Sequence, residues 1–360
     1  MDRIVKIGII GCGGIANGKH MPALSKIENV RLVAFCDLIA ERAEAARERY
    51  GAEGAKVYTD YRELLADPEI EVVHVLTPNR EHADITVDAL HAGKHVMCEK
   101  PMAKTAADAR RMYEAAKETG KKLTIGYQHR QKAESIYAKR YIDSGALGEI
   151  YYANCYAIRR RGTPNWGVFL DAEAQGGDPI IDIATHSLDL TLYLMNNYEP
   201  AIVIGKTHKK LEHPEAGNIW GDNGVSTTSL EEAACAFIQM KNGATVMLET
   251  SWALNNDEPI KEGSCVLCGS REGLSLKNNR LKINKVEFDR PTVTEVDTSA
   301  GGVAFYDGAS ASPAETEAKN WIKAIVEDTD PVVRPEEALV VSEILEAIYE
   351  SSKSGKPVYF

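Results

Sequence analysis

Asp182 and His186 stand four residues apart in Ile180–Met195, a stretch whose apolar spacing predicts a helix. Positions four apart share a helix face, so the carboxylate and the imidazole would stand together, with Asp189 on the same side. Removing a hydride from a secondary alcohol requires a base for the hydroxyl proton, and imidazole titrates near neutrality. A neighbouring carboxylate can orient the ring and hold a substrate hydroxyl. Lys100 is a further candidate, because Glu99-Lys100-Pro101 ends an apolar run and Pro101 restricts the backbone before it. A fixed ammonium there could bind a substrate oxygen electrostatically. Lys100, Asp182 and His186 are therefore the catalytic candidates.

A second constellation suits a phosphate. Gly11-Cys12-Gly13-Gly14-Ile15-Ala16 is GxGxxA, placed directly after an apolar run and opening a helix. Gly11 permits the tight turn, Gly13 and Gly14 let the backbone approach a pyrophosphate, and a small residue lets the helix pack on the strand. The helix N-terminus, starting at Ile15, offers N–H groups and a positive dipole end. Asp37 ends the next strand about twenty residues on, where an acid binds the adenine ribose hydroxyls. Leu38 offers nothing to a 2′-phosphate, and Arg42, a helical turn further, only softens the preference, so the expected cofactor is NAD rather than NADP. Thr77-Pro78-Asn79 with His82, and Glu99 with Lys100, follow strands at the carboxyl ends that face a ligand in a doubly wound sheet. Gln128, in Tyr127-Gln128-His129-Arg130, is expected to face the nicotinamide.

These residues need elements to hold them. Ile4–Ile10, Val30–Cys36, Glu71–Leu76, His95–Cys98 and Lys122–Gly126 read as strands, and Ile39–Tyr50, Arg80–Ala92 and Thr105–Thr119 as helices among them. That rhythm predicts a parallel, doubly wound sheet over residues 1–126. From 127 to 360 the texture changes to strands at Glu149–Arg159, Ala201–Lys209, Glu232–Met240, Ala244–Leu254, Val266–Gly269 and Arg280–Phe288. Lys241-Asn242-Gly243 and Lys277-Asn278-Asn279 are hairpin turns, so an open, mostly antiparallel sheet with helices on one face is expected. Ser312-Pro313-Ala314-Glu315 caps a helix to about 327, and Pro335–Ser352 forms another. Leu211–Ser229, polar and carrying Trp220, reads as a long surface loop.

Substrate contacts are sought at the end of the first strand of the second domain, in Arg159-Arg160-Arg161-Gly162-Thr163-Pro164-Asn165-Trp166-Gly167. Two readings stand level. Trp166 stacks on a sugar ring while Arg161 and Asn165 bind hydroxyls, or the segment is an exposed basic strand end with a packing Trp.

Composition narrows the partners. A formal charge of -11 over 360 residues repels a phosphate backbone, so no nucleic-acid partner is expected. No apolar run approaches the roughly 20 residues of a membrane span. Seven cysteines, an odd number spread along the chain, argue for a reducing compartment, and the cytoplasm is expected. Arg3 and Lys6 before Ile7–Ile10 only loosely resemble a signal peptide, because Lys6 interrupts the apolar stretch. Cys265 and Cys268 form a CxxC, but on a strand they point to opposite faces and cannot share an ion, so no metal site is expected.

Glu99-Lys100-Pro101, together with Gly11–Ala16 and Asp182-Ile183-Ala184-Thr185-His186, resembles the Gfo/Idh/MocA family of glucose–fructose oxidoreductases and inositol dehydrogenases. The resemblance implies an NAD(P) domain followed by an α+β domain whose open sheet serves in homo-oligomer contacts, with the active site between them. It places Lys100 beside the nicotinamide on a rigid bend, and makes Asp182 and His186 the DxxxH pair. Ala184 stands where many members have glycine, which touches only local backbone geometry. The implied reaction is NAD(H)-dependent oxidation or reduction of a ring hydroxyl of a sugar, glycoside or cyclitol, with His186 as base. The competing readings are a redox-neutral glycosidase that retains NAD and a sugar-sensing regulator without chemistry.

Overall fold

The structure is a computed structural model that describes residues 3–221, 230–298 and 312–360. Part of the expected loop at Leu211–Ser229, namely 222–229, lies outside the described residues. The chain divides into two compact units, the first holding residues 3–131 with 312–339 and the second the remainder.

The first unit is built on six parallel strands, β1 (Val5–Ile10), β2 (Val30–Cys36), β3 (Lys56–Tyr58), β4 (Val72–Val75), β5 (His95–Cys98) and β6 (Leu123–Ile125), in the order β3-β2-β1-β4-β5-β6. Strands covered on both faces read as continuous apolar runs, and all four residues of β4 are buried. β3 escapes the sequence reading because three half-exposed residues carry no period. The order reverses at β1 and β4, and the strand ends there form the crevice where such sheets take a ligand. Helices Ala40–Tyr50, His82–His91 and Ala106–Thr119 fall within a residue or two of the expected ends, apart from Asn79–Glu81, which winds as a 3₁₀ turn. Thr105 caps the last helix by accepting from the Asp108 N–H at 3.1 Å, and Gly120 ends it with φ 63°.

Residues 312–339 also belong to this unit. Ser312 caps helix Pro313–Val326 through the Glu315 N–H at 3.3 Å, and Trp321, Ile322 and Ile325 join the core of β1 and β2. Arg130, with a fully buried side chain, pairs with Glu337 at 2.6 Å, and Thr124 donates to the Val333 carbonyl at 2.9 Å.

The second unit carries a nine-stranded sheet of β7 (Ile150–Ile158), β8 (Pro200–His208), β9 (Ala233–Met240), β10 (Thr245–Ser251), β11 (Ile260–Gly269), β12 (Gly273–Lys277), β13 (Arg280–Glu287), β14 (Arg290–Val296) and β15 (Val358–Tyr359). Their order is β14-β13-β12-β11-β7-β10-β9-β8-β15, and every neighbouring pair is antiparallel except β7 with β10. Asn278 and Asn279, with φ 53° and 63°, make the tight β12–β13 turn that two left-handed residues favour. β12, β14 and β15 go beyond the expected strands: β14 is mostly exposed on both faces, and β15 has only two residues. Helix Thr185–Met195 lies against β7 and β11 and is buried at ten of its eleven positions. Its Ser187 hydroxyl donates to the Tyr156 carbonyl at 2.7 Å and accepts from the Gly263 N–H at 2.8 Å, so a polar group enters this core with both partners in place. Among the described residues no helix is long and apolar enough to cross a membrane.

Candidate active site

The glycine loop in the first unit leaves β1 at Gly11. Gly11 has φ +93°, its N–H donates to the Cys36 carbonyl at 2.8 Å, and an added Cβ would meet the Leu76 carbonyl oxygen at 2.7 Å. Only glycine fits. At Gly13 and Gly14 an added Cβ would meet nothing within 4 Å, so the loop presents open backbone there rather than a packed surface. Asn17 holds the loop from below, its amide donating to the Cys12 and Gly13 carbonyls at 2.9 and 3.0 Å. Ile15 is exposed and Ala16 buried, as a helix start packed on a strand requires.

Asp37 follows β2 and closes the loop. Its Oδ2 accepts the Cys12 N–H at 2.8 Å and its Oδ1 accepts the Ile39 N–H at 2.9 Å. Leu38 beside it is 92% exposed and carries no group that could pair with a 2′-phosphate. Burial, with the Asp37 charge second, pushes the Cys12 and Cys36 thiols up to about 12, so neither supplies a thiolate. An open glycine backbone, a helix start and a carboxylate at the neighbouring strand end are the features that hold a dinucleotide, and the residues present fit NAD.

Thr77, Pro78 and Asn79 follow β4, and His82 lies one turn on, fully buried. Its Nδ1 is 2.9 Å from the Pro101 carbonyl and its Nε2 is 3.0 Å from that of Thr77, so the ring ties the β4 and β5 exits together. Burial lowers its pKa, against the two carbonyls, which favour the charged ring. The Lys100–Pro101 peptide is cis. Lys100 is half-buried and Gln128 half-buried in a 3₁₀ turn. Glu99, expected to touch the cofactor, buries its carboxylate among Lys19 at 2.6 Å, His20 at 2.7 Å and the Lys100 N–H at 3.0 Å.

In the second unit Asp182 falls in a π-helical turn, Ile180–Ala184, that runs into helix Thr185–Met195 carrying His186. The expected helix therefore begins with a wider turn than the α-helical spacing assumed. Trp252, 1% exposed just beyond β10, donates its indole N–H to Asp182 Oδ2 at 2.9 Å. The Arg159 guanidinium lies 3.8 Å from the same oxygen and 3.3 Å from Glu262. Asp182 is thus held by a neutral donor and a cation, and its side chain keeps 12% exposure. His186 is 7% exposed and Asp189 fully buried.

Trp166, 48% exposed, meets Trp220 edge to face at 4.8 Å, and the Arg159 guanidinium stacks on Trp220 at 5.2 Å. Asn165 donates to the Gly221 carbonyl at 2.8 Å. Arg161 donates to the Ala216 carbonyl at 3.1 Å and to Asn255. Arg161 and Asn165 therefore brace the segment around Trp220, while Arg159 reaches Asp182. Sequence reasoning missed Arg159, Trp252 and Trp220 as site residues. Arg159 stands two positions before Arg161, which a strand reading puts on one face and which was the available signal, although β7 ends at Ile158; Trp252 lies 70 positions from Asp182 and carries none.

A Rossmann sheet with an open glycine loop and a strand-end acid, joined in one chain to a mostly antiparallel sheet bearing an Asp–His helix, defines a dinucleotide-dependent oxidoreductase. The chain belongs to the Gfo/Idh/MocA oxidoreductase family: residues 5–127 match its NAD-binding Rossmann fold and residues 139–360 its C-terminal alpha/beta domain. It is 36% identical to the D-glucoside 3-dehydrogenase of Escherichia coli (strain K12) over 76% of this chain and 77% of that one. It is 42% identical to the inositol 2-dehydrogenase of Salmonella paratyphi B over 40% of this chain and 43% of that one. The aldose-aldose oxidoreductase of Caulobacter crescentus, solved in complex with glycerol, superposes with a TM-score of 0.79 at 25% identity, covering 99% of this chain and all of that one. The protein is an NAD-dependent dehydrogenase acting on CH–OH groups.

Proposed function

We propose that the substrate is a sugar, glycoside or cyclitol, that one of its ring hydroxyls is oxidised or its ketone reduced, and that His186 handles the proton. The observation that carries the reading is Asp182, one helical turn before His186, held between the Trp252 indole and the Arg159 guanidinium. The names of the glucoside and inositol dehydrogenases to which the chain is similar support the substrate class.

When bound, NAD supplies the acceptor for the hydride that leaves the carbinol carbon. The chain's own residues do the rest. A ring nitrogen of His186 takes the hydroxyl proton, Asp182 orients the ring and accepts from a substrate hydroxyl, and the Lys100 ammonium steadies the oxygen as negative charge develops on it. Gly11, Gly13, Gly14 and Ile15 hold the pyrophosphate, and Asp37 the adenine ribose, which favours NAD over NADP. Thr77, Pro78, Asn79, His82 and Gln128 line the nicotinamide end. Trp166 offers a sugar ring an apolar face. Seven free thiols support a reducing compartment such as the cytoplasm, and the open sheet of the second unit supports a homo-oligomer.

The test follows the hydride. Purified protein with excess NAD and a panel of glucosides, free sugars and inositols is expected to form NADH in proportion to substrate consumed. Aglycone release without NADH would make it a redox-neutral hydrolase instead. His186→Ala is expected to lower turnover by about two to four orders of magnitude with NAD affinity nearly unchanged. Near-normal turnover in that variant would remove His186 as the base.

A further inference from the structure

Glu99 divides its two carboxylate oxygens between different tasks. Oε1 takes the Lys19 ammonium at 2.6 Å and His20 Nε2 at 2.7 Å, while Oε2 accepts the backbone N–H of Lys100 at 3.0 Å. The side chain is 8% exposed. Burial alone would push its carboxyl up, and the Lys19 ammonium with the His20 ring overrides burial and holds it well below the usual carboxylate range. Lys19 goes on to Glu317 Oε2 at 2.8 Å, and His20 Nδ1 lies 3.2 Å from His74 Nδ1.

The turn after the glycine loop thus grips the carboxylate at the end of β5, and is itself braced from behind by His74 of β4 and Glu317 of helix Pro313–Val326. The wall opposite is equally specific. An added Cβ at Gly126 would lie 2.9 Å from Glu99 Oε1 and 3.1 Å from Oε2, so the carboxylate packs on a bare backbone. The Lys100 N–H satisfies the second carboxylate oxygen, and that bond folds the Glu99 side chain back over the peptide of its neighbour.

We infer that Glu99 is a positioning residue for Lys100: pinned by Lys19 and His20, its carboxylate fixes the backbone from which the Lys100 side chain departs, and so sets where the ammonium stands. The inference rests on the proposed role of Lys100 toward the substrate oxygen. It gives Lys19 a part in catalysis through two intermediaries, without contact to substrate or cofactor.

A double-mutant cycle tests it, using NAD with whichever glucoside or inositol gives NADH above. Glu99→Gln keeps the shape and removes the charge that Lys19 and His20 grip. It is expected to lower kcat at least about tenfold per NAD-binding site, with the NAD Kd, read by fluorescence titration, within about threefold of wild type. In a Lys100→Ala background the same change is expected to cost nothing further, because the effect passes through Lys100. An equal loss in both backgrounds, or a normal kcat in Glu99→Gln beside a crippled Lys100→Ala, overturns the inference and leaves the role of Lys100 standing. A normal kcat in Lys100→Ala overturns that role and the inference with it. Should Glu99→Gln not fold, Gly126→Ala replaces it in the cycle, since the new methyl displaces the same carboxylate with its charge intact, and the same outcomes decide.

Discussion

Asp37 shows how a single carboxylate serves both architecture and selectivity. Each of its oxygens already accepts a backbone N–H, from Cys12 and from Ile39, and each retains a lone pair for a ribose hydroxyl. A 2′-phosphate placed there would meet a negative charge, with the exposed apolar Leu38 alongside. NAD is therefore expected to bind at least about tenfold more tightly than NADP, roughly 1.4 kcal/mol. Asp37→Ala is expected to narrow the gap by weakening NAD, since the variant loses the hydroxyl contact and the brace on the glycine loop together. Parallel titrations of the two nucleotides check this, and equal affinities in the wild type would refute it.

At the scale of elements, the turn that carries Asp182 depends on a residue four positions before it. Asp178 Oδ1 accepts the Ile180 N–H at 2.9 Å and the Tyr349 hydroxyl at 2.7 Å, and its carbonyl accepts the Asp182 N–H at 3.1 Å. Burial first, with the Glu231 charge adding to it, pushes the Asp178 carboxyl up from 3.8 to about 6, against the hydrogen bonds from Tyr349 and Ile180, which favour the anion. A carboxyl raised on folding stabilises the native state below pH 3.8, and that contribution is lost as pH rises through 6. The loss at neutral pH is about 3 kcal/mol in order of magnitude. Asn at this position keeps an oxygen for both donors and carries no charge. Asp178→Asn is thus expected to raise the melting temperature at pH 7.5 and to have little effect at pH 4. Thermal melts at the two pH values decide it, and a variant less stable at pH 7.5 would show that the anion is wanted.

For the whole molecule the open question is assembly. The β13–β14 hairpin presents Val286 at 69% exposure and Val293 at 62%, with Phe288 at its turn 99% exposed. Val293 pairs with Asn284 and Val286 lies two residues beyond it, so the two valines share a sheet face. Apolar side chains so exposed on the edge hairpin of a large sheet suit contact with another copy. Light scattering is expected to give a mass at least twice 39.5 kDa. Val286→Asp with Val293→Asp is expected to shift it toward the monomer. A monomeric wild type would contradict the expectation.

A parallel, doubly wound first sheet and its glycine loop were legible from residue order alone. Alternating apolar runs and helical stretches are local signals, and at Gly11 the positive φ and the Leu76 carbonyl leave no choice of residue. β2 and β5 were legible to the residue because buried parallel strands are dominated by their apolar runs, with Arg31 and His95 the polar exceptions. β3, β12, β14 and β15 were not, being short or exposed and held by neighbours far along the chain. Asp182 and His186 could be named from their spacing, but not the company Asp182 keeps. That Trp252 and Arg159 meet its carboxylate follows from the pairing of β7 with β10, which brings Ser251 beside Ile158. Likewise nothing near Glu99 in the chain announces Lys19 or Glu317. Buried charges find partners wherever the fold brings opposite charge within reach, and sequence separation does not enter that energy.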